Sequence, residues 1–141
     1  MPSQANRPLP EGTQLQDYRI LRVLAAGGFS FVYLAHDAEE RPVAIKEYLP
    51  ATLALRVNGA AHAQIPEADL AMFRAGMKSF FGEARAIAAV EHPNIVRVRD
   101  IFRANETVYL VMRYERGRTL ADHIRGVRGA LEELWVRNTF A

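Results

Sequence analysis

Cysteine is absent from the 141 residues, and with it go a disulfide framework, a thiolate metal site and a cysteine nucleophile. No apolar run approaches the ~20 residues needed to cross a bilayer. The N-terminal stretch MPSQANRPLPEGTQ has no apolar core of the kind a secretion signal carries. The expected address is therefore the cytoplasm, with no membrane segment in the chain. A dominant charge is missing as well: 18 basic against 16 acidic residues leave a formal net charge of +2. The arginines are spread rather than clustered, so there is no electrostatic footprint for nucleic acid. What remains is a chain that is 50% hydrophobic, long enough for one compact domain with its own core.

Residues 1–14 hold three prolines and few apolar side chains, and read as a flexible tail. Residues 18–24 (YRILRVL) and 31–36 are rich in β-formers. A polar loop at 37–41 leads to Pro42, which opens a third strand. There Val43 and Ile45 share one face, Ala44 and Lys46 the other. Pro50 breaks the pattern, and 49–66, with the turn signal Asn58-Gly59, reads as an irregular insertion. From about residue 66 apolar side chains recur at helical steps through Leu70, Phe73, Met77, Phe80, Phe81 and Ala84. Gly76 and Gly82 each weaken that helix by about 1 kcal/mol relative to Ala and leave a break into two helices open.

Pro93 ends the helix. Residues 95–103 alternate again, with Val96, Val98 and Phe102 on one face and Arg97, Arg99 and Arg103 on the other. After a turn at Asn105-Glu106, VYLVM at 108–112 is an unbroken apolar strand expected inside the sheet, and 118–124 is a short helix candidate. The expected fold class is α+β: a five-stranded antiparallel sheet with one main helix between the third and fourth strands.

The glycines between the first two long strands carry the chemistry. A dinucleotide fingerprint needs a helix after the glycines, yet here Phe31, Val32 and Tyr33 continue as strand. A P-loop needs GxxxxGK followed by Ser or Thr, and none occurs. The surviving reading is a hairpin turn whose backbone N–H groups approach an anion from above, with Lys46 facing whatever the turn covers.

Taken in order, LAAGGFSFVYLA, VAIK, the glutamate in FFGEARAIA, HPNIV and VYLVMRYERGRTL resemble the N-terminal lobe of a protein kinase. The nearest resemblance is to bacterial serine/threonine kinases of the eukaryotic-like type. It covers roughly 18–124, and the lobe is expected over 15–124 with an insertion at about 49–66. It implies that ATP is the ligand and that Gly27 and Gly28 let the flap reach the phosphates, with Phe29 at its tip. It implies that Lys46 supplies charge to the α- and β-phosphates and that Glu83 orients Lys46. The helix stripe puts Glu83 at a core-facing edge, where a carboxylate needs a cation. Val32 and Ala44 would face the nucleotide with Lys46, and Leu24 would roof it. Met112 would guard the rear of the pocket, and Arg113 and Glu115 fall in the hinge.

The chain also departs from the family. Ala25 and Ser30 replace two of three flap glycines and restrict positive φ, so a stiffer flap is expected. The separation of Lys46 from Glu83 is long, and the excess, the insertion, either regulates the helix or decorates it, with decoration the expectation. No HRD, DFG or APE segment occurs in the 141 residues; in the family these hold the catalytic base, both metal-binding residues and the substrate platform. Mg²⁺ is implied for the full-length family, but its ligands are absent here. Residues 125–141 read as a divergent tail. The expectation is a kinase N-lobe truncated before its second lobe and unable by itself to transfer phosphate. The alternative is a non-catalytic module docking on a kinase or a separate second lobe through its apolar underside.

Overall fold

The computed structural model describes residues 6–57, 59–89 and 98–114. Six strands form one sheet: β1 (Gln14–Leu15), β2 (Tyr18–Ala26), β3 (Ser30–His36), β4 (Pro42–Tyr48), β5 (Val98–Ala104) and β6 (Thr107–Arg113). A single 3₁₀ turn, Glu67–Asp69, leads into α1 (Leu70–Ala88), which lies between β4 and β5 in the chain. The strand order is β1-β2-β3-β4-β6-β5, antiparallel throughout. The expected class is therefore found with six strands rather than five. The additional strand is two residues long, pairing Leu15 with Tyr18, and is too short to show a period in sequence.

Each hairpin has a local cause. Between β3 and β4, the Asp37 carboxylate accepts N–H bonds from Glu39 (2.9 Å) and Arg41 (2.8 Å), an Asx-type turn. Its other oxygen takes an ion pair from Arg99 at 2.6 Å, tying the turn to β5. Between β5 and β6, Asn105 and Glu106 both adopt positive φ, 53° and 66°, as a two-residue hairpin requires. β6 lies between β4 and β5, and every residue from Thr107 to Met112 is buried. That is the apolar strand expected inside the sheet.

Three expectations are corrected. Val98 and Phe102 do not share a face: Val98 pairs with Met112 and Asp100 with Val111, leaving Arg99 as a bulge. One extra residue reverses the phase of everything before it. Val98 accordingly packs with Ala44, Leu110 and Met112, while Phe102 stacks on Tyr109 and Tyr18. Residues 6–14 are not a loose tail. Leu9 is buried in the core, its N–H donates to the Tyr33 hydroxyl at 2.9 Å, and the Asn6 amide bridges Ala54 and Arg56. The insertion is not decoration either, since Leu49, Ala54, Arg56 and Ala63 are all buried. Residues 90–97 and 115–124, including Pro93 and the helix candidate at 118–124, and the tail at 125–141 lie outside the described residues.

α1 runs unbroken through both glycines, and the two have different roles. A Cβ on Gly76 would lie 2.1 Å from the Tyr48 hydroxyl and 3.0 Å from its Cζ. The glycine thus lets the Tyr48 ring lie against the helix, where it also meets Phe73 and Phe80 with ring centroids at 5.2 and 5.7 Å. Gly82 has nothing within 4 Å of its Cβ position. The two alanine substitutions should therefore have opposite signs in urea unfolding. Gly82→Ala should stabilise by about 0.5–1 kcal/mol through helix propensity. Gly76→Ala should destabilise by about 1–2 kcal/mol despite the same propensity gain, and Tyr48→Phe in that background should recover part of the loss.

Candidate functional site

Three consecutive side chains at the end of β4 organise the site. Strand alternation sends Lys46 and Tyr48 to one face and Glu47 to the other. On the Lys46 face, cross-strand pairing places Val32 and Leu110 on either side of Lys46, and Leu34 and Met112 on either side of Ala44. Ala44, Leu110, Met112 and Ala84 of α1 form a buried cluster, with Val32, Phe80, Val98 and Tyr114 packed against it. The structure thus brings four sequence-predicted residues, Val32, Ala44, Lys46 and Met112, to one face of the sheet. Leu24 is half-buried in a bulge of β2, between the pairs Val23–Tyr33 and Ala25–Val32. Arg113 ends β6 with its side chain exposed. Glu115 lies outside the described residues.

The turn above this face spans Gly27 to Phe29, with Ala25 and Ser30 in the flanking strands. The Gly27 N–H donates to the Ser30 carbonyl at 3.0 Å, which closes the turn. Phe29 is 73% exposed at the tip. The carbonyls of Phe29 and Gly28 accept N–H bonds from Leu49 (2.8 Å) and Ala51 (2.9 Å) of the insertion. Among the described residues, no hydrogen bond uses the N–H of Gly28 or of Phe29.

Glu83 does not take the position expected of it. The buried stripe of α1 runs through Phe73, Met77 and Ala84, and this phase leaves Glu83 exposed. The ion pairs between described residues are Arg41–Glu39, Arg56–Glu47 and Arg99–Asp37, so Lys46 and Glu83 are not joined. The Lys46 ammonium lies 5.9 Å from the centroid of the Phe80 ring, within cation–π range. Phe80 is one helical turn before Glu83.

On the opposite face of β4 is a polar cluster that the sequence reading missed. Glu47 and Arg56 are both fully buried and form a bidentate pair at 2.7 and 2.6 Å. The hydroxyls of Tyr33 and Tyr109 also donate to the Glu47 carboxylate, at 2.7 and 2.5 Å. Arg56 Nε donates to the Ala61 carbonyl at 3.0 Å. Burial and the adjacent Glu47 charge push both tyrosines well above the usual phenol range. Burial alone would lower the Arg56 pKa, but its hydrogen bonds and charge contact with Glu47 outweigh that and raise it. The tyrosines therefore stay neutral donors and the guanidinium stays charged. The available signal was parity: Val43, Ile45 and Glu47 share a face, so a carboxylate follows two core positions and needs a buried cation. Arg56 gave no such signal, because it lies in an aperiodic stretch.

Ala44 and Met112 are buried, with Val32 half-buried beside them, and Lys46 shares their face. Among the described residues no group of three or more His, Cys, Asp or Glu side chains could hold a metal ion. A separate cavity of about 490 Å³ lies on another flank of α1, lined by Arg74, Met77, Lys78, Phe81, Arg103 and Val108. None of the predicted site residues reaches it.

Comparison with known proteins gives a consistent result. Residues 18–141 match the family described as protein kinase domain. The chain is 34% identical over 108 residues to serine/threonine-protein kinase PrkC of Bacillus subtilis, covering 76% of this chain and 14% of PrkC. It is 36% identical over 107 residues to serine/threonine-protein kinase pkn2 of Myxococcus xanthus, covering 74% and 11%. Among solved structures, PpkA-294 in its apo form superposes with a TM-score of 0.73 at 33% identity, over 93% of this chain and 47% of that one. The kinase domain of Mycobacterium tuberculosis PknI shares the fold at a TM-score of 0.51 and 23% identity, over 76% and 36%. The chain thus spans about half of the PpkA-294 chain and a small fraction of the curated relatives.

Breaking the Glu47–Arg56 pair from one side should be far worse than removing it whole. Arg56→Met leaves a carboxylate buried without its cation and should cost about 3–5 kcal/mol in denaturant unfolding. Glu47→Leu combined with Arg56→Met should recover part of that loss, since the apolar pair carries no ionic desolvation penalty but leaves the buried Tyr33 and Tyr109 hydroxyls without their acceptor.

Proposed function

Since the chain belongs to the protein kinase domain family, we propose that its cleft face is the nucleotide-binding half of a serine/threonine kinase site, with ATP as the ligand. The observation that carries this reading is the alignment of Val32, Ala44 and Met112 with Lys46 on one face, below a turn with two unclaimed amides. The adenine ring lies between Val32, Ala44 and Met112 with Leu24 above, and meets the main chain at Arg113 and Glu115. The triphosphate passes beneath Gly27, Gly28 and Phe29, where N–H dipoles and the Lys46 ammonium balance its charge. Ala25 and Ser30 flank the turn and limit its positive-φ excursions.

Glu83 is the proposed partner that orients Lys46. It lies one turn of α1 beyond Phe80, so a rotation and shift of the helix would bring its carboxylate toward the ammonium. Bound ATP would favour the rotated helix by its own contact with Lys46.

No HRD, DFG or APE segment occurs in these 141 residues, and no step of phosphoryl transfer is assigned to them. Protein substrates, and a second lobe or a partner kinase to complete the site, come with the family and are proposals for this chain. So is a cytoplasmic address; no helix among the described residues is long and apolar enough to cross a membrane.

ATP should raise the melting temperature of the chain, by the equivalent of about 1.4 kcal/mol at ten times Kd, and Lys46→Ala should abolish the shift. Radiolabelled ATP should leave no phosphate on the chain or on a generic protein substrate. Robust transfer that Lys46→Met removes would contradict the reading.

A further inference from the structure

We propose that residues 49–56 of the insertion are a clamp that holds the glycine turn in an anion-accepting orientation. This makes Leu49 and Ala51 positioning residues for the nucleotide site, and it rests on the ATP reading above. The β3–β4 ladder ends at the pair Ser30–Tyr48. Main-chain bonding continues beyond it, from Leu49 N–H to the Phe29 carbonyl and from Ala51 N–H to the Gly28 carbonyl.

A carbonyl dipole facing a phosphate repels it. Fixing both carbonyls on the insertion turns those acceptors away and leaves the N–H groups of Gly28 and Phe29 without partners among the described residues. The turn alone could not be held so, because its one internal bond is Gly27 N–H to Ser30.

The clamp has its own anchors. Leu49 and Ala54 are buried, and Arg56 fixes the far end of the segment on Glu47, the residue next to Lys46. Pro50 starts a short helical turn, its carbonyl accepting from Leu53 (3.1 Å) and Ala54 (3.0 Å). The path from Glu47 to Arg56 is therefore closed at both ends and stiffened between them. A flap whose orientation is set before binding loses less freedom when ligand arrives.

Ala51 is exposed and is the first residue of that turn, a position that tolerates proline. Ala51→Pro therefore deletes one N–H donor and little else. The full 141-residue chain, as wild type, Ala51→Pro and Ala51→Ser, is assayed by hydrogen exchange of the turn without ligand and by titration with ATP. The clamp predicts that Ala51→Pro keeps the wild-type melting temperature, exchanges faster at Gly27 and Leu49, and binds ATP about tenfold more weakly. Ala51→Ser, which keeps the donor, should behave as wild type.

Unchanged exchange and affinity in Ala51→Pro overturn the clamp. Faster exchange in a chain whose wild type binds no ATP leaves the mechanical clamp standing and overturns the nucleotide reading instead. If Ala51→Pro does not fold, the Leu49 and Ala51 amides of the wild type decide: slow exchange supports the clamp, and exchange at the rate of an open loop overturns it.

Discussion

The bidentate pair between Glu47 and Arg56 is the constraint on which the rest of the structure depends. Taking two charges out of water costs several kcal/mol per ion, so the pair persists only where every lone pair and donor is met. Tyr33 and Tyr109 meet the carboxylate, and the Ala61 and Arg7 carbonyls meet the guanidinium. Satisfying this one pair therefore commits β3, β4, β6, the insertion and the segment before β1 to a single arrangement. The N–H of Leu9 completes it by donating to the Tyr33 hydroxyl.

Lys46, Glu47 and Tyr48 show how three neighbours serve three needs. Lys46 faces the cleft and its amino group reaches the Phe80 ring. Glu47 faces away and fixes the insertion. Tyr48 returns to the first face and seats α1 through the opening at Gly76, while its carbonyl accepts from the Thr107 hydroxyl. The proposed charge centre, the flap support and the helix seat are thus set by one strand end. A shift of one residue in the β4 register would exchange all three roles at once.

Much of this was legible in the sequence, and the exceptions share a cause. The long strands, the helix, the glycine turn and the facing of Val32, Ala44 and Lys46 follow from period and turn chemistry within short windows. Features set by contacts far apart in the chain did not show. Leu9 is one apolar residue among prolines, and its place in the core cluster and its bond to the distant Tyr33 hydroxyl have no local signal. Arg56 has no periodic neighbours, and its partner is on another element. The Arg99 bulge reverses the face of Val98 without any glycine or proline to mark it. Glu83 was put at the core-facing edge by its helix stripe, and a modest difference in helix phase puts it in solvent.

The central claim is that the Lys46 face, under the clamped turn, is where this chain meets a nucleotide. The most direct measurement is residue-resolved NMR of amide shifts as ATP is added to the isotope-labelled chain. The account predicts concentration-dependent shifts gathered at Gly28, Phe29, Val32, Ala44 and Lys46, on the turn and the two strands beneath it. No shift at saturating ATP, or shifts gathered instead around Arg74, Lys78 and Arg103 on another flank of α1, would contradict it.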